Sequence, residues 1–155
     1  MKIVPAEKSD LARILEIQKA AFLSEAEFYN LYEIRPLKMT LADIENDFVK
    51  YTYLKAVDDS NIVTGSIKYS IENSTGHIGN VVVDPVFQNK GIGSALMAEA
   101  IKQLAKTERI ELFTGHKSFK NIALYEKFNF KIFREATLSE NEPKMVFMEK
   151  YNGNE

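Results

Sequence analysis

The stretch "NVVVDPVFQNKGIGSALMAEAI", Asn80 to Ile101, places two of the chain's seven glycines where their spacing implies chemistry. Val81, Val82 and Val83 read as a buried strand that ends at Pro85, which cannot donate to a ladder. Ile92, Leu96, Ile101 and Leu104, with alanines between them, read as a helix. Gly91 and Gly93 therefore fall at the start of that helix, although glycine costs up to about 1 kcal/mol relative to alanine once helical. What the missing side chains allow is close approach to backbone N–H groups. The first four N–H groups of a helix have no internal partner, and the dipole adds roughly half a positive charge, so such an end binds phosphate; Lys90 adds a full charge at the rim. Two common phosphate loops do not fit, because no GK[ST] ending is present and the dinucleotide fingerprint needs a glycine where Leu96 stands.

The other polar candidates are scattered. His77 and His116 are isolated from acids at ligand spacing, so no metal site is expected. The segment "FLSEAEFYNLYEIRP" mixes Phe22, Phe28, Tyr29 and Tyr32 with Glu25, Glu27 and Glu33. Either the aromatics complete a core and the acids are solvated, or acids and aromatic faces together receive an ammonium group. The absence of cysteine removes disulfides, thiolate zinc sites and thiol nucleophiles. With 20 basic and 22 acidic residues spread along 155 positions, no basic stripe points to nucleic acid. No apolar run approaches the roughly 20 residues of a membrane span, and the polar start carries no export signal, so a soluble, cytoplasmic protein is expected.

The elements that must position these residues follow from periodicity and turn chemistry. "KIVP" reads as a first strand, followed by a helix from about Asp10 to Leu23, capped by Ser9 or Asp10, with Leu11, Ile14, Leu15 and Phe22 on one face. A second helix runs from Thr40, its cap, to about Lys50. "YTYLKAV" and "IVTGSIKYSI" form a hairpin around "DDSN", and "ENSTG" turns the chain into "HIGNVVVDP". After the glycine helix, which runs to about Lys106, come a strand "IELFTG", a helix from about Ser118 to Phe128, a strand "FKIFREA" and a last strand "KMVFMEK". One domain over residues 1–155 is expected, an α/β (α+β mixed) fold with a mixed sheet flanked by helices.

Gln88-Asn89-Lys90-Gly91-Ile92-Gly93, a Q/R-x-x-G-x-G/A pattern after a strand ending in Asp-Pro, resembles the pyrophosphate-binding motif of the GNAT superfamily of N-acetyltransferases. A second block, "ELFTGHKSFKNIALYEKFNFKIF", is similar to that family's later strand, helix and aromatic strand, with Ala123, Leu124, Tyr125, Glu126 and Lys127 followed by Phe130. The resemblance is strong from about Ile78 to Phe133. It implies a mostly antiparallel, twisted sheet of about seven strands with about four helices and a splayed central strand pair. It also implies acetyl-CoA as cosubstrate, contacted by Val81, Val82, Val83, Gln88, Asn89, Lys90, Gly91, Gly93, Ser94, Ser118 and Asn121, with Lys127 as a lesser candidate. The chain departs from the family where Ser118 replaces a frequent asparagine, Asn121 an alanine and Asn129 a glycine.

The implied activity is acetyl transfer to a primary amine of a small molecule or peptide, by direct attack and without a covalent enzyme intermediate. Such a reaction needs a neutral amine, a donor for the developing oxyanion and a proton for the leaving thiolate. The family position assigns the last role to Tyr125, a phenol protonated at neutral pH. The family's frequent acidic base on the central strand is missing, which leaves His77 and the three glutamates of the aromatic segment as alternatives. No metal, nucleic acid or membrane partner is expected, and a homodimer is compatible with these features. A non-catalytic CoA sensor or protein-interaction module on the same fold is the competing reading, because a fold does not guarantee a reaction.

Overall fold

The computed structural model describes residues 1–153. Among them, seven strands, β1 (Lys2–Pro5), β2 (Thr52–Val57), β3 (Val63–Glu72), β4 (Thr75–Val83), β5 (Arg109–Gly115), β6 (Lys131–Thr137) and β7 (Lys144–Tyr151), form one sheet in the order β1-β2-β3-β4-β5-β7-β6. Five helices accompany it, α1 (Leu11–Tyr29), α2 (Arg35–Lys38), α3 (Leu41–Lys50), α4 (Ile92–Gln103) and α5 (Phe119–Lys127). Neighbouring strands run antiparallel except β4 and β5, which are parallel. The mixed α/β sheet expected from the sequence is present, with one addition. The short α2 lies between the first two expected helices, with Pro36 in its first turn, where a missing N–H costs nothing.

Alternation along β2 divides the core between the two faces of the sheet. Leu54 and Ala56 pack with Ile92, Leu96, Met97 and Ala100 of α4, and with Tyr125 of α5. Tyr53, pointing the other way, packs with Leu11 and Ile14 of α1 and Ile44 of α3. Helices α1 and α3 therefore cover one face, and α4 and α5 the other.

Local chemistry explains most boundaries. Thr40 caps α3 as expected: its hydroxyl accepts the Asp43 N–H at 3.2 Å, while the Asp43 carboxylate accepts the Thr40 N–H at 2.8 Å. Asn73 and Ser74, both at positive φ (51° and 65°), form the two-residue turn between β3 and β4. Helix α1 departs from expectation at both ends. Asp10 does not cap it; its carboxylate accepts the Glu7 N–H at 2.7 Å, and the helix enters from a 3-10 turn. At the far end α1 continues past Leu23 to Tyr29, since nothing in Ser24 to Phe28 breaks it. It stops at Asn30, which takes the left-handed conformation (φ 55°) while the Leu31 N–H bonds back to the Ala26 carbonyl at 3.0 Å.

The pairing of β4 differs on its two sides. Against β5 it holds only for Thr75↔Arg109, Gly76↔Ile110 and His77↔Glu111. Against β3 it continues to Val83, with a register shift that sets Asn80 and Val81 together opposite Ile67. Such a bulge bends the strand that carries it. Beyond His77 the two strands diverge and the sheet opens into a gap.

The end of β4 is anchored by one carboxylate. Asp84 Oδ1 accepts the Val86 N–H at 3.0 Å, and Oδ2 accepts Arg13 Nη2 at 2.6 Å; the same guanidinium donates to the Val63 carbonyl at 3.1 and 3.2 Å. Burial acts to raise the Asp84 pKa, but the Val86 N–H and the Arg13 charge outweigh it and hold the carboxyl below its ordinary value. A folded value below the unfolded one contributes stability that is complete above the unfolded value of about 4 and is lost as pH falls through the folded value. We expect Asp84→Asn to cost about 1–2 kcal/mol at neutral pH. In urea unfolding repeated from about pH 7 to about pH 3, the difference from the unmodified chain should shrink toward the acid end.

Candidate active site

At the start of α4, Asn89 (φ 65°) and Gly91 (φ 80°) both take the left-handed conformation. The first bond of the helix is from the Ala95 N–H to the Gly91 carbonyl at 3.0 Å, so the N–H groups of Ile92, Gly93 and Ser94 lie ahead of the ladder. The two glycines are there for different reasons. At Gly91 a Cβ would meet no atom within 4 Å, and the backbone angle is what favours glycine. Gly93 has no such angle, and a Cβ on it would meet Leu124 Cδ2 at 3.6 Å and Val83 Cγ2 at 4.0 Å, ordinary contacts. Nothing in the chain itself requires glycine at position 93. Gln88, Asn89 and Lys90 are exposed beside it, with Lys90 Nζ 5.6 Å from the Phe87 ring centre.

The gap between β4 and β5 holds a cavity of about 440 Å³. Ile78, Gly79 and Val81 of β4, Glu111, Leu112 and Phe113 of β5, and Asn121 and Tyr125 of α5 contribute to its wall. Val82 is buried instead, 2% exposed, while Val83 packs against the cluster on the α4 face. Tyr125 is 6% exposed, and among the described residues its hydroxyl has no protein hydrogen-bond partner. Burial, reinforced by the Glu25 charge, pushes its phenol well above the ordinary value, so it stays protonated. Its position is set by the way α5 ends. Asn129 is left-handed (φ 72°), the Phe130 N–H bonds back to the Tyr125 carbonyl at 3.2 Å, and the fully buried Phe130 ring packs against Tyr125.

Because the sheet is open here, α1 meets the β5–α5 connection across it. Ser118 Oγ donates to Glu25 Oε1 at 2.7 Å and lies 2.9 Å from Tyr29 Oη, which accepts the Lys117 N–H at 2.8 Å. Burial, with the Glu25 charge adding, pushes the Tyr29 phenol upward. Gly115 makes room for this junction, since a Cβ there would lie 2.3 Å from Tyr29 Oη. Ser118 is thus buried with its hydroxyl engaged, whereas Asn121 faces the cavity with only a 3.4 Å contact to Thr114 Oγ1.

Of the candidate bases, His77 and Glu25 line the cavity; Glu27 is exposed away from it, and Glu33 lies outside, 4.0 Å from Lys38. Lys127 is exposed, and His116 bonds the Lys144 carbonyl through Nδ1 at 3.1 Å. Several lining residues are not singled out by the sequence. Glu111 is paired with Arg109 at 2.9 Å, Asp47 with Lys68 and the Tyr53 hydroxyl, and Glu142 accepts the Arg35 N–H at 3.1 Å. A charge inside an apolar run, as in "IELF", is the one signal that could have marked Glu111. Among the described residues no three histidines or acids are grouped to hold a metal, and no helix is long and apolar enough to cross a membrane.

The acetyltransferase (GNAT) family model matches residues 11–130, and the chain belongs to that family. It is 28% identical over 124 residues, 72% of this chain and 71% of the relative, to an uncharacterized N-acetyltransferase, ycf52, of Porphyra purpurea. Among solved structures it is similar to a GNAT superfamily phosphinothricin acetyltransferase from Sinorhizobium meliloti in complex with AcCoA, with a TM-score of 0.79 at 21% identity over 98% of this chain and 88% of that one. It is also similar to the ribosomal-protein-S18-alanine N-acetyltransferase from Escherichia coli, with a TM-score of 0.78 at 16% identity over 99% and 95%.

The contrast between the two glycines gives a test. Gly93→Ala should leave the ligand-free protein as stable as before, or more stable by up to about 1 kcal/mol, because alanine is the better helix former. Gly91→Ala should be destabilising by about 1–2 kcal/mol. Thermal unfolding of both variants without ligand checks the pair.

Proposed function

We propose that the protein transfers an acetyl group from acetyl-CoA to a primary amine carried by a small molecule or peptide. The observation that carries this reading is the gap between β4 and β5, with the free edge of β4 along it, Tyr125 in its wall and the glycine turn following the end of β4. Membership of the acetyltransferase family and the AcCoA-bound relative of the same fold support it.

The residues present fit the cosubstrate. The open space at Gly91 and the N–H groups that lie ahead of the ladder at the start of α4 suit a pyrophosphate, with Lys90 and Gln88 at its rim. Backbone groups of Val81 to Val83 on the side away from β3 would bond the pantetheine arm, with the Asn121 side chain opposite. Ser118 is less suited to that task than the sequence implies, because its hydroxyl is engaged by Glu25.

In this reading the amine nitrogen attacks the thioester carbonyl, a C–N bond forms and the C–S bond breaks. A backbone N–H at the β4 bulge aimed at the oxyanion would contribute roughly 3 kcal/mol. Tyr125, kept protonated by burial, gives its proton to the departing sulfur. The acceptor enters from the α1 and α2 side of the cavity, lined by Phe22, Tyr29 and Arg35.

Acetyl-CoA at 100 times its dissociation constant should stabilise the chain by about 2.7 kcal/mol in a thermal-shift measurement. Gly93→Asp, which sets a carboxylate among the phosphates, should abolish that stabilisation; equal shifts in both proteins would remove the phosphate cradle. Tyr125→Phe should keep the shift while lowering CoA thiol release on an amine panel by about 10²- to 10⁴-fold. An unchanged rate with chemistry limiting would return Tyr125 to a packing role.

A further inference from the structure

The junction of α1 with the β5–α5 connection does more than hold two helices together. Each hydroxyl in it carries one proton. Ser118 gives its proton to Glu25 at 2.7 Å, so the 2.9 Å contact is donated by Tyr29, whose oxygen accepts the Lys117 N–H at 2.8 Å. The chain of donors runs in one direction, from a backbone N–H through two hydroxyls, and ends on a single carboxylate. That carboxylate lines the same cavity as Tyr125.

Charge compensation separates Glu25 from two of the other three acids of the cavity, Asp47 and Glu111. Asp47 is neutralised by Lys68 and Glu111 by Arg109, and Glu142 is engaged by the Arg35 N–H at the mouth. Glu25 takes part in no ion pair among the described residues, and the donor on it is the Ser118 hydroxyl rather than a cation. The titratable and charged groups around it are Tyr29 on its own helix, Tyr125 on α5, His116 and Lys117 after β5, His77 and Glu111 on the cavity floor, and Arg35 toward the entrance.

Resting on the acetyl-transfer reading, we propose that Glu25 receives the ammonium group of the acceptor and takes its proton, with Ser118 and Tyr29 as positioning residues that aim the carboxylate into the gap. The acceptor is accordingly an amine that arrives as a cation. The ammonium gives one proton to Glu25, and the free nitrogen attacks. The nitrogen then loses a second proton, which replaces the one Tyr125 gives to the leaving sulfur, and Glu25 releases its own to solvent. The overall step frees one proton for each amide formed.

The experiment compares the pH dependence of kcat/KM for the unmodified chain and Glu25→Gln, using the best acceptor from a panel of polyamines, amino acids and peptide amines. Glutamine keeps an oxygen for Ser118, so folding is expected to survive, and an acetyl-CoA thermal shift equal to that of the unmodified chain verifies it. We expect activity near neutral pH to fall about 10²- to 10³-fold. The remaining activity should follow the free-amine fraction, rising about tenfold per pH unit, so that the deficit closes toward the amine's own pKa. Ser118→Ala removes a hydrogen bond to the charged form and should move the acid limb to higher pH. An unchanged profile in Glu25→Gln, a loss equal at every pH, or transfer of the acid limb to His77→Gln would overturn the proposal. Absence of an acetyl-CoA shift in the unmodified chain would instead overturn the reading on which it rests.

Discussion

Three residue pairs of parallel ladder, ending at His77 and Glu111, decide what the remainder of this molecule can do. Had β4 and β5 stayed paired to their ends, the sheet would be continuous and the helices on its two faces would be separated by a layer of backbone. The bulge opposite Ile67 bends β4 away while β7 holds β5 along its whole length. Backbone groups that a sheet normally consumes are thereby left free along one edge. In most settings such an edge is a liability; here it forms the wall of a cavity.

The opening also determines where side-chain chemistry can come from. Glu25 belongs to a helix whose core neighbours lie on the face of α1 and α3, whereas Tyr125 belongs to the cluster built on α4. They reach the same cavity only because the strands between them diverge. The junction formed by Ser118, Tyr29 and Gly115 spans this opening with hydrogen bonds of ordinary length, in place of the missing ladder. Both helices stop by the same device, a left-handed asparagine followed by a residue that bonds back into the last turn. In α5 that device places Phe130 beneath Tyr125, so the end of the helix and the position of the phenol are one structural decision.

The parts of this arrangement that were legible in the sequence are those encoded locally. Valine runs, the Asp-Pro stop, the glycine pair and the Thr40 cap each carry their meaning within a few residues, and they located the strands, most helix boundaries and the turn before α4. Asn129 and Asn30 are signals of the same local kind, but the mixed aromatic and acidic residues before Asn30 lack clean periodicity, and the expected helix stops at Leu23. The cavity charges were harder to see. Asp47 and Lys68 are 21 positions apart in the chain and Glu142 and Arg35 are separated by 107, and no spacing rule links such pairs. Ser118 shows the limit most clearly, because its sequence neighbours say helix start while its hydroxyl answers to Glu25, 93 positions earlier.

The short seam has a mechanical consequence. The strands β1 to β4 and the strands β5 to β7 are each knitted by long antiparallel ladders, so each behaves as a stiff plate, and the line joining the plates is their softest direction. Bending about the His77–Glu111 pair changes the width of the gap at its open end much more than at its root, as with the jaws of tongs. Slow amide exchange is accordingly expected in the middle of both plates and faster exchange along the seam, so the region with least local stability coincides with the one that must admit a molecule.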